Sequence, residues 1–88
     1  MLKFDELFFE AITVGKLTSE DQSALEAISE EFKVGRITEA INKMNALIKN
    51  TKNKGLKDKI TFIGHILGGG QKVGDIERAR AKIDSMLE

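Results

Sequence analysis

The sequence of 88 residues contains no cysteine, proline, tryptophan or tyrosine, and it contains one histidine, His65. The absence of cysteine excludes disulfides, thiolate catalysis and every metal site built on cysteine. One histidine also cannot supply the cluster of histidines that a zinc site needs. Because so short a chain buries a small core, its stability must come from tight helix packing or from self-association.

Long apolar runs are missing as well. No run of apolar residues approaches the ~20 that a membrane-spanning helix requires, and the acidic start of the chain is unlike a secretory signal. Apolar residues make up 41% of the chain and charged residues 32%, with the two signs in balance. This composition is typical of a globular domain and not of a disordered chain. We therefore expect one domain over residues 1–88, in the cytoplasm and away from membranes.

The charges are balanced in number but unevenly distributed. Residues 1–31 contain eight acids and two bases, a net charge of −6, whereas residues 32–82 contain twelve bases and four acids, a net charge of +8. Two interpretations are open. The two halves pack together and neutralise each other, or the acidic end of one molecule contacts the basic middle of a neighbour.

Apolar residues recur at helical spacing along five stretches of the chain. The pattern predicts helices over residues 2–12, 19–34, 37–48, 56–67 and 75–87. Thr18 or Ser19 is suited to cap the second helix, and the glycines at positions 15, 35, 55 and 74 are expected at helix boundaries. The β-branched run at 60–63 would also suit a strand, but no second strand is present to pair with it. We therefore expect an all-α fold, a small bundle of about five short helices arranged as antiparallel α-hairpins.

The segment at residues 33–40 is similar to the segment at 72–79, at an offset of 39 residues that continues to the end of both helices. This is either a true internal repeat or a likeness that any two capped amphipathic helices share. Each copy resembles the second helix of a tetratricopeptide motif. The matching residues are Gly35, Ile37, Ala40, Met44 and Leu47, and Gly74, Ile76, Ala79, Ile83 and Met86. The resemblance implies stacked α-hairpins and a binding function, although the first-helix signature and the final proline of that motif are absent.

The first eleven residues resemble the N-termini of small proteins of T4-type tailed phages. The capsid-targeting peptides of that family have an aromatic residue, two apolar residues and a Glu-Ala pair where this chain has Phe4, Leu7, Phe8, Glu10 and Ala11. The resemblance implies an accessory or packaged head protein, in the host cytoplasm or the virion, and cleavage after Glu10 by a head protease. That protease takes Leu or Ile at the position of Phe8, so the chain departs from the cleavage pattern there. An ordinary amphipathic helix is the alternative to the resemblance as a whole.

Two parts of the chain are candidates for binding a small anion. A run of three glycines followed by a lysine precedes the last helix, where backbone N–H groups attract anions, and a second, lysine-rich stretch covers residues 49–59. The candidate residues are Lys49, Lys52, Lys54, Lys57, Gly68, Gly69, Gly70 and Lys72. The glycine run lacks the Walker spacing, so a helix-breaking loop is the alternative. The lysine-rich stretch contains neither arginine nor an aromatic residue, which argues against nucleic acid as the partner.

No group of residues forms a recognisable catalytic constellation. His65 stands alone on an apolar helix, and no motif indicates a serine or cysteine nucleophile. The acid pairs Glu20-Asp21 and Glu30-Glu31 are expected at solvent-facing helix positions. The sequence therefore predicts a protein that is not an enzyme and that has no cofactor and no metal.

The apolar residues of the first helix are candidates for an interface, because their stripe is wider than one neighbouring helix would cover. These residues are Phe4, Leu7, Phe8, Phe9 and Ile12. We predict a non-catalytic helical protein-binding or assembly module that contacts a partner protein or a second copy of itself, most simply as a homodimer. An oligomer that sequesters a small nucleotide signal and a packaged phage head protein are the alternatives.

Overall fold

A computed structural model of the chain describes Phe9, residues 11–68 and residues 73–87. Within these residues the chain forms four α-helices: α1 (Ser19–Lys33), α2 (Ile37–Asn50), α3 (Lys54–Gly68) and α4 (Val73–Leu87). The same residues contain no strand, and the stretch 60–63 lies inside α3. The prediction of an all-α bundle is therefore confirmed.

Most of the predicted first helix lies outside the described residues. Of that stretch the structure describes Phe9, Ala11 and Ile12, of which the first two are helical and Ile12 forms a bend. Gly15 follows with a φ of 71°, the left-handed conformation that glycine adopts without strain.

Helix α1 begins and ends where the sequence predicts. The hydroxyl of Thr18 accepts a 3.1 Å hydrogen bond from the backbone N–H of Asp21 and caps the first turn. At the other end Gly35 has a φ of 80°, and the N–H of Arg36 donates to the carbonyl of Glu31 at 2.9 Å. Together with the 3.2 Å bond from the N–H of Gly35 to the carbonyl of Phe32, this bond forms a Schellman motif, which satisfies carbonyls of the last turn.

The start of α3 differs from the prediction. The side chain of Asn53 caps the helix by accepting a 3.1 Å hydrogen bond from the N–H of Leu56, so Gly55 lies inside the first turn and not beyond the helix. Gly74 likewise lies inside the first turn of α4. Three residues, 51–53, connect α2 to α3, and three residues, 34–36, connect α1 to α2.

The helices pack as a closed ring, in which α1 contacts α2 and α4, and α3 contacts the same two helices from the other side. One hydrophobic core fills the ring. Its largest fully buried side chains are Leu25, Ile28, Met44, Leu56, Ile60, Ile63, Leu67 and Ile83. The predicted apolar faces therefore are the faces that the helices bury.

One buried polar contact joins the first and last described helices. Ser29 of α1 is buried, and its hydroxyl donates a 2.6 Å hydrogen bond to a carboxylate oxygen of Asp84 on α4. Asp84 also lies 3.8 Å from the guanidinium of Arg80. The bond satisfies a hydroxyl that would otherwise be buried at a cost, and it fixes the position of α4 against α1.

Gly55 allows the segment before α1 to lie directly against α3. A Cβ atom at position 55 would overlap the carbonyl oxygen of Thr13 and would lie 3.0 Å from the Cα atom of Val14. Val14 and Leu17 pack at the edge of the core. The glycine is therefore required by a close backbone approach, not by a turn.

We predict that Gly55→Ala destabilises the protein by about 1–3 kcal/mol, because the added methyl group pushes the Thr13 backbone off α3. Gly64→Ala on the same helix is the matched control, since a Cβ atom there meets nothing within 4 Å. That control should stabilise the protein by about 0.5–1 kcal/mol through helix propensity. Urea unfolding followed by circular dichroism measures both free energies, and equal effects would contradict the close approach.

Candidate protein-binding surfaces

The side chain of Phe9 occupies a slot on the seam between α3 and α4. We call this surface the Phe9 slot, formed by Lys59 and Phe62 of α3 and Lys82 of α4. The ring centroids of Phe9 and Phe62 are 5.5 Å apart and tilted by 46°. The ammonium groups of Lys59 and Lys82 lie 4.4 and 4.7 Å from the Phe9 ring centroid. The ring is thus held by an aromatic pair and two cation–π contacts.

The slot corrects one of the predicted interface residues. Phe9 is 4% exposed and belongs to the core cluster, so it does not offer a free ring to a partner in this conformation. Ile12 is partly buried. The other candidates, Phe4, Leu7 and Phe8, lie outside the described residues.

An open groove runs between α1 and α2. The α1–α2 groove has a volume of about 310 Å³. It is lined by Glu20, Asp21, Ala24 and Ala27 of α1 and by Lys43, Ala46, Leu47 and Asn50 of α2. The alanines leave the surface concave because they carry no bulk above the helix backbone. Sequence analysis missed this groove, although three alanines at the edges of two adjacent helices were a signal for it.

The two ends of the α1–α2 groove differ in charge. Glu20, Asp21 and Asn50 also line a second cleft, of about 590 Å³, which places the two acids beside the end of α2. Lys43 lies seven residues before Asn50, about 10 Å along the helix. The groove therefore has an apolar floor, an acidic end and a basic end.

Two acids that were expected on the solvent-facing surface are buried, so the prediction for them is wrong. Asp21 is 7% exposed and Glu31 is 8% exposed. Asp21 lies in the first turn of α1, where the helix dipole stabilises a negative charge. The carboxylate of Glu31 lies 3.7 Å from the guanidinium of Arg36 and 3.5 Å from the ammonium of Lys43. Both contacts join the acidic part of the chain, residues 1–31, to the basic part, residues 32–82, within one molecule.

The candidate anion-binding residues are not brought together. Lys49, Lys52, Lys54 and Lys57 are exposed around the connection between α2 and α3. Gly68 ends α3 at its opposite terminus, about 20 Å from Lys54 by the rise of a helix. Gly69, Gly70 and Lys72 lie outside the described residues. A single anion therefore does not contact both the lysines and Gly68.

A third cleft, which sequence analysis did not find, lies between α3 and α4. It has a volume of about 370 Å³ and is lined by Phe62, His65, Ile66, Asp75 and Arg78. The guanidinium of Arg78 is 3.9 Å from a carboxylate oxygen of Asp75. The cleft therefore combines an aromatic side chain and an imidazole with a guanidinium that is paired to a carboxylate.

Across the described ranges no group of three acids or histidines is arranged to hold a metal ion, and none of the helices described is long and apolar enough to cross a membrane. Comparison with known proteins gives no relative: no family model, curated protein or solved structure matches the chain.

We predict that Glu31→Ala lowers the free energy of unfolding by about 1 kcal/mol, because its carboxylate is mostly shielded while its two cationic partners remain near solvent. Glu30→Ala is the matched control, because Glu30 is the neighbour of Glu31 on the same helix and is exposed. This change should alter the free energy of unfolding by less than about 0.5 kcal/mol. Salt at 1 M should reduce the difference between the variants. Equal losses of unfolding free energy in the two variants would show that the contacts of Glu31 contribute no more to stability than the exposed carboxylate of Glu30.

Proposed function

We propose that this chain is a non-catalytic helical module that binds another protein and assembles with it. The observation that carries the proposal is the α1–α2 groove, an open apolar surface with opposite charges at its two ends. Grooves between packed helices commonly receive one face of an amphipathic helix. The helices of the bundle provide a rigid floor for such a contact, because their opposite faces are fixed in the core.

The lining of the groove defines the partner. The alanines and Leu47 accept apolar side chains spaced at i, i+3 or i+4 and i+7 along about two turns of helix. The carboxylates of Glu20 and Asp21 favour a lysine or arginine at one end of that helix. Lys43 shares the carboxylate of Glu31 with Arg36, and the excess of one positive charge in this cluster favours an acid at the other end. The fitting partner is therefore a short amphipathic helix with a basic end and an acidic end.

The resemblance to tetratricopeptide helices supports the same proposal. At the offset of 39 residues, Ala40 and Ala79 are both buried, and so are Met44 and Ile83. These two pairs of equivalent residues are thus buried alike in α2 and α4, whereas Leu47 is buried and its equivalent Met86 is half-buried. We propose that α1 with α2, and α3 with α4, are two antiparallel α-hairpins packed side by side, and that the groove belongs to the first of them.

Assembly with a second copy of the chain is part of the proposal. A role as an accessory or head protein of a phage is also part of it, and the burial of Phe9 bears on that role. Cleavage after Glu10 would remove Phe9 from the core and uncover Phe62, so a processed form would differ in stability from the complete chain.

The groove is tested by filling it. Ala46→Arg places a long charged side chain over the apolar floor, whereas Ala81→Arg makes the same change at an exposed position of α4. We expect a partner captured from the cells that produce the chain to be retained by the wild type and by Ala81→Arg. Retention should fall at least ~10-fold for Ala46→Arg, a loss of about 1.4 kcal/mol. Quantitative mass spectrometry of the captured proteins measures this.

Equal retention by the two arginine variants would contradict the groove as the binding surface. Circular dichroism of both variants controls for the fold, and their spectra should match that of the wild type, since each replaced alanine is exposed.

A second candidate function, sequestration of a small nucleotide signal, is favoured by the cleft that contains Phe62, His65 and Arg78. A base stacks on an aromatic ring, and a guanidinium binds phosphate. If this cleft binds a nucleotide, that nucleotide should raise the melting temperature of the protein in a thermal-shift screen, because ligand binding stabilises the folded state. The shift should disappear in Arg78→Met and persist in Arg80→Met, and a flat screen would rule the function out.

A further inference from the structure

We propose that the Asp21 carboxylate is a binding site for the guanidinium group of an arginine that the partner of the α1–α2 groove supplies. The site lies at the acidic end of that groove, so the inference rests on the proposed function and deepens it by naming one residue on each side of the contact. Three observations carry it. They are the burial of Asp21, the lack of a partner for its carboxylate among the described residues, and its position between two open clefts.

The carboxylate of Asp21 is shielded without being paired. Asp21 is 7% exposed, whereas its neighbour Glu20 is exposed. The backbone N–H of Asp21 donates to the hydroxyl of Thr18, but within the described ranges the carboxylate accepts no hydrogen bond and forms no ion pair. A carboxylate that loses most of its water and gains no donor is unfavourable until a ligand supplies the donors. The structure therefore holds a negative charge ready for a cationic ligand.

The small surface that Asp21 exposes opens into two clefts. Glu20, Asp21 and Asn50 line both the α1–α2 groove and the second cleft, of about 590 Å³. On the side of the groove the neighbouring surface is apolar, from Ala24 and Leu47. On the side of the second cleft it is polar, from Thr18, Ser19, Thr51 and Asn53. A side chain that enters along the groove therefore crosses apolar surface and ends among oxygen acceptors.

This lining suits an arginine better than a lysine or a metal ion. The aliphatic stem of an arginine packs on apolar surface such as that of Ala24 and Leu47, while its charged head stays at the polar end. The guanidinium presents several N–H donors in a planar fork, so it can bind the carboxylate of Asp21 and the amide oxygen of Asn50 together. It is also more weakly hydrated than an ammonium group, which lowers the cost of bringing it to a shielded carboxylate. The described residues contain no group of three acids or histidines for a metal ion.

The surrounding charges allow a guanidinium to approach along the groove. Helix α2 ends beside the site, and the end of a helix presents carbonyl oxygens and the negative end of its dipole. Lys16 and Lys52 line the second cleft but not the groove, and within the described residues neither forms an ion pair with Asp21. The lysine that does line the groove, Lys43, contacts the carboxylate of Glu31. The guanidinium thus reaches Asp21 from the side that Lys16 and Lys52 do not line.

Titration of the full chain with acetyl-arginine amide tests the site. Amide NMR spectra report the backbone N–H groups, and we expect those of Glu20, Asp21 and Asn50 to shift saturably. Acetyl-citrulline amide replaces the guanidinium with a neutral urea group of the same shape, and it should bind at least ~10-fold more weakly. Acetyl-lysine amide should also bind more weakly, because an ammonium group lacks the planar fork.

Two variants assign the binding to Asp21. Asp21→Asn keeps the shape of the side chain and removes its charge, and it should weaken the binding of acetyl-arginine amide at least ~10-fold. Glu26→Gln is the matched control, because it removes one carboxylate charge from an exposed position of the same helix. It should change the affinity by less than about 2-fold. If Asp21→Asn does not fold, the comparison of the arginine and citrulline compounds on the wild type decides the question.

A wild type that shows no shifts up to roughly 100 mM acetyl-arginine amide overturns the site. Equal affinities for the arginine and citrulline compounds overturn it too, as do equal affinities of Asp21→Asn and the wild type. Equal binding of acetyl-lysine amide overturns the assignment to a guanidinium.

The site and the proposed function fail in different ways. A protein partner that is lost in Ala46→Arg but retained by Asp21→Asn overturns the arginine contact and leaves the groove intact. Acetyl-arginine amide that binds at Asp21, with a protein partner that Ala46→Arg retains, contradicts the groove and leaves the guanidinium site standing.

Discussion

The apolar face of α3 has to be covered on two sides, and the arrangement of the described helices follows from that requirement. Leu56, Ile60, Ile63 and Leu67 are almost completely buried on this face. Helix α2 covers one side of α3 and α4 covers the other, while α1 bridges α2 and α4 and closes the ring. Short connections bring consecutive helices together, and the bond between Ser29 and Asp84 secures the closure.

The core is not formed by the four helices alone, because the segment before α1 also contributes to it. Phe9 enters between α3 and α4, and the Thr13 backbone reaches α3 because residue 55 has no side chain. A core that depends on a segment joined through an irregular connector is sensitive to anything that displaces that segment.

The bundle by itself does not define a function, because helical bundles carry many unrelated activities. What distinguishes this one is its surface. Alanines open a groove between α1 and α2, and lysines surround the ring of Phe9. The groove has an apolar floor with charged ends, and the ring of Phe9 is held within the chain by an aromatic pair and two cation–π contacts.

Local chemistry determined much of this protein directly from its sequence. The cap at Thr18, the left-handed Gly35 and the apolar face of α3 depend on residues within one or two helical turns, so the pattern along the chain predicts them. The alternation of apolar and polar residues likewise predicts which face of each helix is buried.

Tertiary structure alone decided the burial of Asp21 and Glu31, the position of Phe9 and the need for glycine at position 55. Each of these depends on what lies alongside the residue: Lys43 of the next helix beside Glu31, two lysines beside Phe9, and the Thr13 backbone beside Gly55. These neighbours are distant in the sequence, and helical periodicity holds no information about them. The groove between α1 and α2 has the same origin, because its shape exists only once two helices lie side by side and their alanines face the same opening.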